Sequence, residues 1–149
     1  MQPSASITFG VMFVLGLLMG LPPAATDMYL PAMPSIATAL NSGPEAVQQT
    51  LTLFLMFFAV SQLFFGPLSD ALGRRKVMLI GLAVFFVASA LCASASTIES
   101  LIVCRGLQGV GGAAIIVTVP AIVRDSVTGS AFSKVMGVIM LVMGRAPLI

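Results

Sequence analysis

The chain has 149 residues, 58% hydrophobic and 8% charged, with a formal net charge of +2. A soluble domain carries about 25% charged residues, so a mean hydropathy of +1.10 excludes an ordinary globular protein and points to the membrane. The small net charge, with no basic stripe interleaved with aromatics, argues against nucleic acid, and a chain without histidine offers little to a hydrolytic or metal-dependent enzyme.

Crossing the hydrocarbon core takes about 20 apolar residues, and runs of that length recur along the chain. Residues 1–26 carry no charge. Met1 to Thr8 holds no Lys or Arg, so the charged leader of a signal peptide is missing, and the first run reads as a retained helix over about 7–36. Pro22, Pro23 and Pro31 should kink or interrupt its second half. "ALNSGPEAV" at 39–47 is a turn, with Glu45 in the first turn of a second helix over about 46–68. A polar knot, "GPLSDALGRRKV" at 66–77, separates it from a third helix over about 77–95. A short turn, "SASTIES" at 94–100, leads to a fourth helix over about 99–123, whose one internal charge is Arg105. The polar loop "RDSVTGSAFSK" at 124–134 precedes a fifth helix over about 131–149.

Loop charges predict the orientation. The loop after the second helix holds Arg74, Arg75 and Lys76, and the loop after the fourth holds Arg124 and Lys134. Those after the first and third hold Glu45 and Glu99 instead. The positive-inside rule therefore places the N-terminus and both basic loops in the cytoplasm. Cys92 and Cys104 lie in apolar runs, spaced for neither a metal site nor a redox CxxC, and read as small core residues.

Arg105 is the costliest residue in the chain. A charge inside a span costs about 2.5–3.5 kcal/mol on insertion scales and marks a functional site. At 1.5 Å per residue it lies roughly 9 Å below Glu99, and Asp27 lies roughly 30 Å along the first helix from Ile7. In a core about 30 Å thick both fall at similar depth. Asp27 and Arg105 are therefore expected to face one cavity and to pair, directly or through water. The alternative is that Asp27 only marks a helix end while Arg105 snorkels outward. "GVGGAA" at 109–114 fits a dinucleotide fingerprint in letters, but it lies inside an apolar span without a preceding strand. Gly109, Gly111 and Gly112 instead read as close-packing positions, as do Gly16 and Gly20.

Three stretches carry a resemblance. The knot resembles the loop between helices 2 and 3 of the major facilitator superfamily through Gly66, Leu68, Asp70, Gly73, Arg74, Arg75 and Lys76. "LIVCRGLQGVGGAA" at 101–114 is similar to the superfamily's helix 4 motif through Arg105, Gln108, Gly109, Gly111 and Ala113. "TDMYLPAMPSIA" at 26–37 is similar to the Bcr/CflA group of proton-coupled drug exporters. The resemblance implies an all-α membrane protein, in which residues 1–149 form the N-terminal part, helices 1–4 and part of 5, of a twelve-helix fold whose halves rock about a central site.

The implied activity is export of drug-like small molecules against inward proton flow across the cytoplasmic membrane, with the proton as coupling ion and no cofactor or metal. It assigns Asp27 as the proton carrier, with Arg105 and Gln108 beside it at the proton and substrate site. It makes Gly66, Asp70, Gly73, Arg74 and Asp125 a cytoplasmic latch, the alternative being a topology anchor with a solvated ion pair. The expected partners are the lipid bilayer, the substrate, protons and a missing C-terminal half. Two departures stand out: four and a part helices instead of about twelve, and Arg145 inside the fifth. A fragment is the simplest account, whether a truncated gene, a frameshifted end or a partial record. The rival readings are a non-transporting short membrane protein, acting as a scaffold or assembly half, and, more weakly, a small oligomeric channel.

Overall fold

A computed structural model describes residues 8–127 and 129–145, apart from the side chains of Ser130 and Arg145. The described residues form six α-helices: α1 (Phe9–Asp27), α2 (Tyr29–Ala39), α3 (Pro44–Leu72), α4 (Arg74–Ala93), α5 (Ile98–Ser126) and α6 (Ser130–Arg145). Four of them, α1, α3, α4 and α5, are long and apolar enough to cross a membrane. The apolar stretch expected at 131–149 is described only as far as Arg145; residues 146–149 and the Arg145 side chain lie outside the described residues.

The first expected helix divides in two at Met28, which ends α1 and begins α2. The proline ring of Pro31 collides with the carbonyl four residues earlier, at Asp27, and removes a donor from the ladder. Pro31 then sits in the first turn of α2, where a missing N–H costs nothing. The second half runs on to Ala39, three residues past the expected end, and stops where Asn41 takes a left-handed conformation at φ 47°.

Other helices also outrun the boundaries read from hydropathy. α3 begins at Pro44, a proline suited to the first helical position, and continues through the knot to Leu72. α5 continues through Arg124 and Asp125 to Ser126, so the polar stretch expected as a loop over 124–134 is mostly helix. Hydropathy reports the hydrocarbon thickness, whereas the backbone ladder continues into the polar zone until a residue breaks it. For α3 that residue is Gly73, at φ 95°, which caps α3 and opens α4 at once. Thr97 caps α5 at its other end, its hydroxyl accepting from the Ser100 N–H at 3.2 Å.

α5 is the hub. Of its most apolar stretch 61% is buried, against 6% for α3, which turns Leu63 and Phe64 outward. Within lipid, helices associate by close packing rather than by the hydrophobic effect, so small residues mark the interfaces. A Cβ added at Gly109 would stand 2.4 Å from the Phe54 carbonyl oxygen of α3. One at Gly111 would stand 2.5 Å from the Phe85 nitrogen of α4, and one at Gly112 would stand 3.2 Å from Pro22 of α1. Three glycines within four residues thus meet three different neighbours, because successive residues turn by about 100° around the axis. α6 seats on α1 at Gly16, where an added Cβ would meet Val142 at 2.8 Å. Leu15, Met19, Ile115, Val119, Val123, Met136 and Ile139 fill the core among α1, α5 and α6.

Candidate functional site

Leu101, Arg105 and Gln108 follow one another at four- and three-residue intervals on α5 and share one face. Arg105 is 4% exposed. One of its terminal nitrogens donates to Gln108 Oε1 at 2.7 Å, and Gln108 Nε2 donates to Ser89 Oγ of α4 at 2.8 Å. The guanidinium sits over the Tyr29 ring, its Cζ 3.6 Å from the ring centroid and 5.5 Å from the Phe54 centroid. Thr50 Oγ1 donates to the Val47 carbonyl at 2.6 Å, so the Tyr29 phenol donates to Thr50. That chain fixes the ring on which the cation rests.

No carboxylate among the described residues pairs with Arg105, and its Nε has no partner. The charge is held by an aromatic face and an amide. A desolvated cation–π contact is worth about 2 kcal/mol or more, comparable with the insertion cost of the charge on biological scales.

The expected pairing of Asp27 with Arg105 is not formed. Arg105 lines a cavity of about 400 Å³ with Tyr29, Ile36, Leu40, Cys92 and Gln108. Asp27 is exposed and lines a separate recess of about 230 Å³ with Pro22, Thr26, Phe54 and Phe58. The depth is as counted, since Tyr29, two residues from Asp27, covers Arg105. The azimuth is not: two residues turn by about 200°, so the face that carries Tyr29 to Arg105 carries Asp27 away. Phe54 belongs to both surroundings. Tyr29, Thr50, Phe54 and Ser89 were not singled out from the sequence. The one available signal was that Tyr29 is the sole tyrosine of the chain.

At the opposite end of the bundle, Arg74 joins Asp70, one helical turn earlier, at 2.9 Å and also bonds Asp125 at the end of α5. One guanidinium thus ties the ends of α3 and α5. Arg74 is 27% exposed and the two acids 62% and 56%, so each contact is worth at most about 1 kcal/mol. Gly73 supplies the left-handed turn that brings Arg74 back over Asp70. Gly66, the other glycine of the implied latch, makes no close approach among the described residues: nothing lies within 4 Å of an added Cβ there. Its carbonyl accepts from Ser69 Oγ at 2.8 Å, and the turn is made seven residues later, at Gly73. The described residues hold no cluster of His, Cys, Asp or Glu suited to a metal.

Comparison with known proteins gives this arrangement relatives. The model of the Major Facilitator Superfamily matches residues 8–149. The chain is 40% identical to an uncharacterized MFS-type transporter, YdgK, of Bacillus subtilis, over 99% of this chain and 37% of that protein. It is 39% identical to a bicyclomycin resistance protein homolog of Haemophilus influenzae, over 95% of this chain and 36% of that protein. To a chloramphenicol resistance protein of Pseudomonas aeruginosa it is 44% identical, over 73% of this chain and 26% of that protein. The chain therefore spans about a third of the length of the curated relatives it matches.

Proposed function

This chain belongs to the major facilitator superfamily, and from that membership we propose that it supplies the N-terminal helices of an exporter coupling inward proton flow to efflux of drug-like small molecules across the cytoplasmic membrane. The observation that carries the reading is Arg105, a cation kept 4% exposed inside a span, where charges mark transport pathways. The names of the relatives, which speak of bicyclomycin, chloramphenicol and multidrug resistance, support the substrate class.

Arg105 sits at the wall of an apolar cavity, with Tyr29 and Gln108 beside it, where a polar group of a substrate would meet its charge. Asp27 takes the proton. Its carboxylate is exposed beside apolar walls, so protonation removes a charge without breaking an ion pair. Moving one proton down 100 mV releases about 2.3 kcal/mol, equal to about a 50-fold substrate gradient. The Asp70–Arg74–Asp125 contacts hold the cytoplasmic ends together in one state and are weak enough to open in the other. The N-terminus and both basic loops lie on the cytoplasmic side.

The test uses everted membrane vesicles from efflux-deficient bacteria expressing the whole gene, energised with lactate and loaded with a pH-sensitive acridine dye. Adding chloramphenicol or bicyclomycin should release protons and restore fluorescence, and Asp27→Asn should abolish the response. Drug-dependent release that survives Asp27→Asn refutes the assignment of the carrier; no release by wild type across a broad drug panel refutes the coupling.

A further inference from the structure

α4 and α5 run antiparallel, and three contacts set their register. An added Cβ at Gly81 would touch Ala114, one at Gly111 would touch Phe85, and Ser89 accepts a hydrogen bond from Gln108. Each step along α4 toward the 94–97 loop is matched by a step along α5 toward the same loop. Gly81, Phe85 and Ser89 are spaced by four residues and form one stripe, as Ala114, Gly111 and Gln108 do at intervals of three. One turn further on the same faces, three residues on along α4 and four residues back along α5, residue 92 comes level with residue 104, and both are cysteine. Both side chains are half-buried, and Cys92 lines the Arg105 cavity, so reagents in that cavity reach it. The chain has no other cysteine.

We propose that Cys92 and Cys104 form a reversible dithiol–disulfide site that staples α4 to α5 at the wall of the Arg105 cavity. On oxidation two S–H bonds break and one S–S bond forms. The two electrons and two protons pass to an acceptor disulfide, which becomes two thiols, or to the N=N bond of diamide, which becomes a hydrazine. The bridge fits the native register, because the backbones already touch at Gly111 and Phe85. It replaces the Cys92 thiol at the cavity wall by one fixed apolar group, and it holds the hairpin without touching the loop. The site depends on the hairpin alone and is independent of what the protein transports.

The experiment is thiol counting on the detergent-purified protein. After treatment with diamide the sample is denatured in SDS and tagged with PEG-maleimide. Untreated protein should gain two tags, oxidised monomer none, and dithiothreitol should restore both. Intact mass should fall by about 2 Da, the two hydrogen atoms lost as the S–S bond forms. Cys92→Ser and Cys104→Ser should each keep one tag throughout. As a control, Leu91→Cys in a Cys92→Ser background places a thiol at the same depth on an exposed position, and it should close with Cys104 at least tenfold more slowly. The proposal is overturned if oxidised wild-type monomer still gains two tags, if oxidation yields only intermolecular dimers, or if the Leu91→Cys pair closes as fast.

Discussion

Gly81→Ala is the smallest change that tests how the hub is packed. The new methyl carbon would lie 2.3 Å from the Ala114 Cβ, where two carbons rest at about 3.5–4.0 Å. α4 and α5 must part by more than about 1 Å at that level, and a gap of that size forfeits a quarter to a half of the dispersion well for the atoms along it. Overpacking typically costs about 1–3 kcal/mol, and this site belongs in the upper half because both carbons are fixed to backbone and neither has a rotamer to escape into. Ala114→Gly removes the colliding atom. The next nearest atoms, the Gly111 carbonyl oxygen at 3.2 Å and the Ala114 Cα at 3.6 Å, are tolerable neighbours. The double variant should therefore recover most of the loss, because the roughly 1 kcal/mol that a new glycine costs α5 is offset by the alanine gained in α4. Reversible SDS unfolding in mixed micelles, read by helical circular dichroism, measures all four proteins. A coupling of at least about 1 kcal/mol is expected. Strict additivity, or a Gly81→Ala protein as stable as wild type, refutes the packing argument.

Gly73→Ala should lower unfolding stability by about 1–2 kcal/mol, since φ of 95° disfavours any side chain, whereas Gly66→Ala should change it by less than about 0.5 kcal/mol. Tyr29→Phe keeps the ring under Arg105 and loses only the bond to Thr50, a change of about 0.6 kcal/mol for a hydrogen bond between membrane helices; Tyr29→Leu removes the cation–π face and should cost about three times as much in the same unfolding assay. Arg105→Lys should reduce drug-dependent proton release at least tenfold, because an ammonium can neither stack flat nor hold the guanidinium geometry. Asp125→Asn should shift unfolding by under about 1 kcal/mol while lowering transport severalfold; parallel losses in both would make the pair a structural clamp.

Axial position was legible in the sequence. Charge-free runs located the helices, and counting rises put Arg105 and Asp27 at one depth; of the three prolines expected to kink or interrupt the first helix, Pro22 and Pro23 lie inside an unbroken α1 and only Pro31 follows a break. Azimuth was not, because it depends on a local rotation that hydropathy does not encode: a two-residue offset turned Asp27 away and brought Tyr29 in. The helix ends were misjudged for a related reason. Arg124 and Asp125 are polar enough to leave the hydrocarbon, yet their backbone groups still have partners in the ladder. Sequence spacing also hid Cys92 and Cys104, twelve residues apart, which a four-residue loop folds to one level. The knot divided the same way. Gly73 could be read as a turn, while Gly66 meets no neighbour among the described residues.

The three neighbours of the α5 glycines make the hub genetically addressable. A bulky residue at position 109 presses on α3, at 111 on α4 and at 112 on α1, so each lesion has its own geography of second-site suppressors. Compensating losses of volume for position 112 should map to Pro22 and Phe58, whose side chains can shrink. Those for 109 and 111 should be scarce, because the atoms in the way are backbone and no substitution removes them.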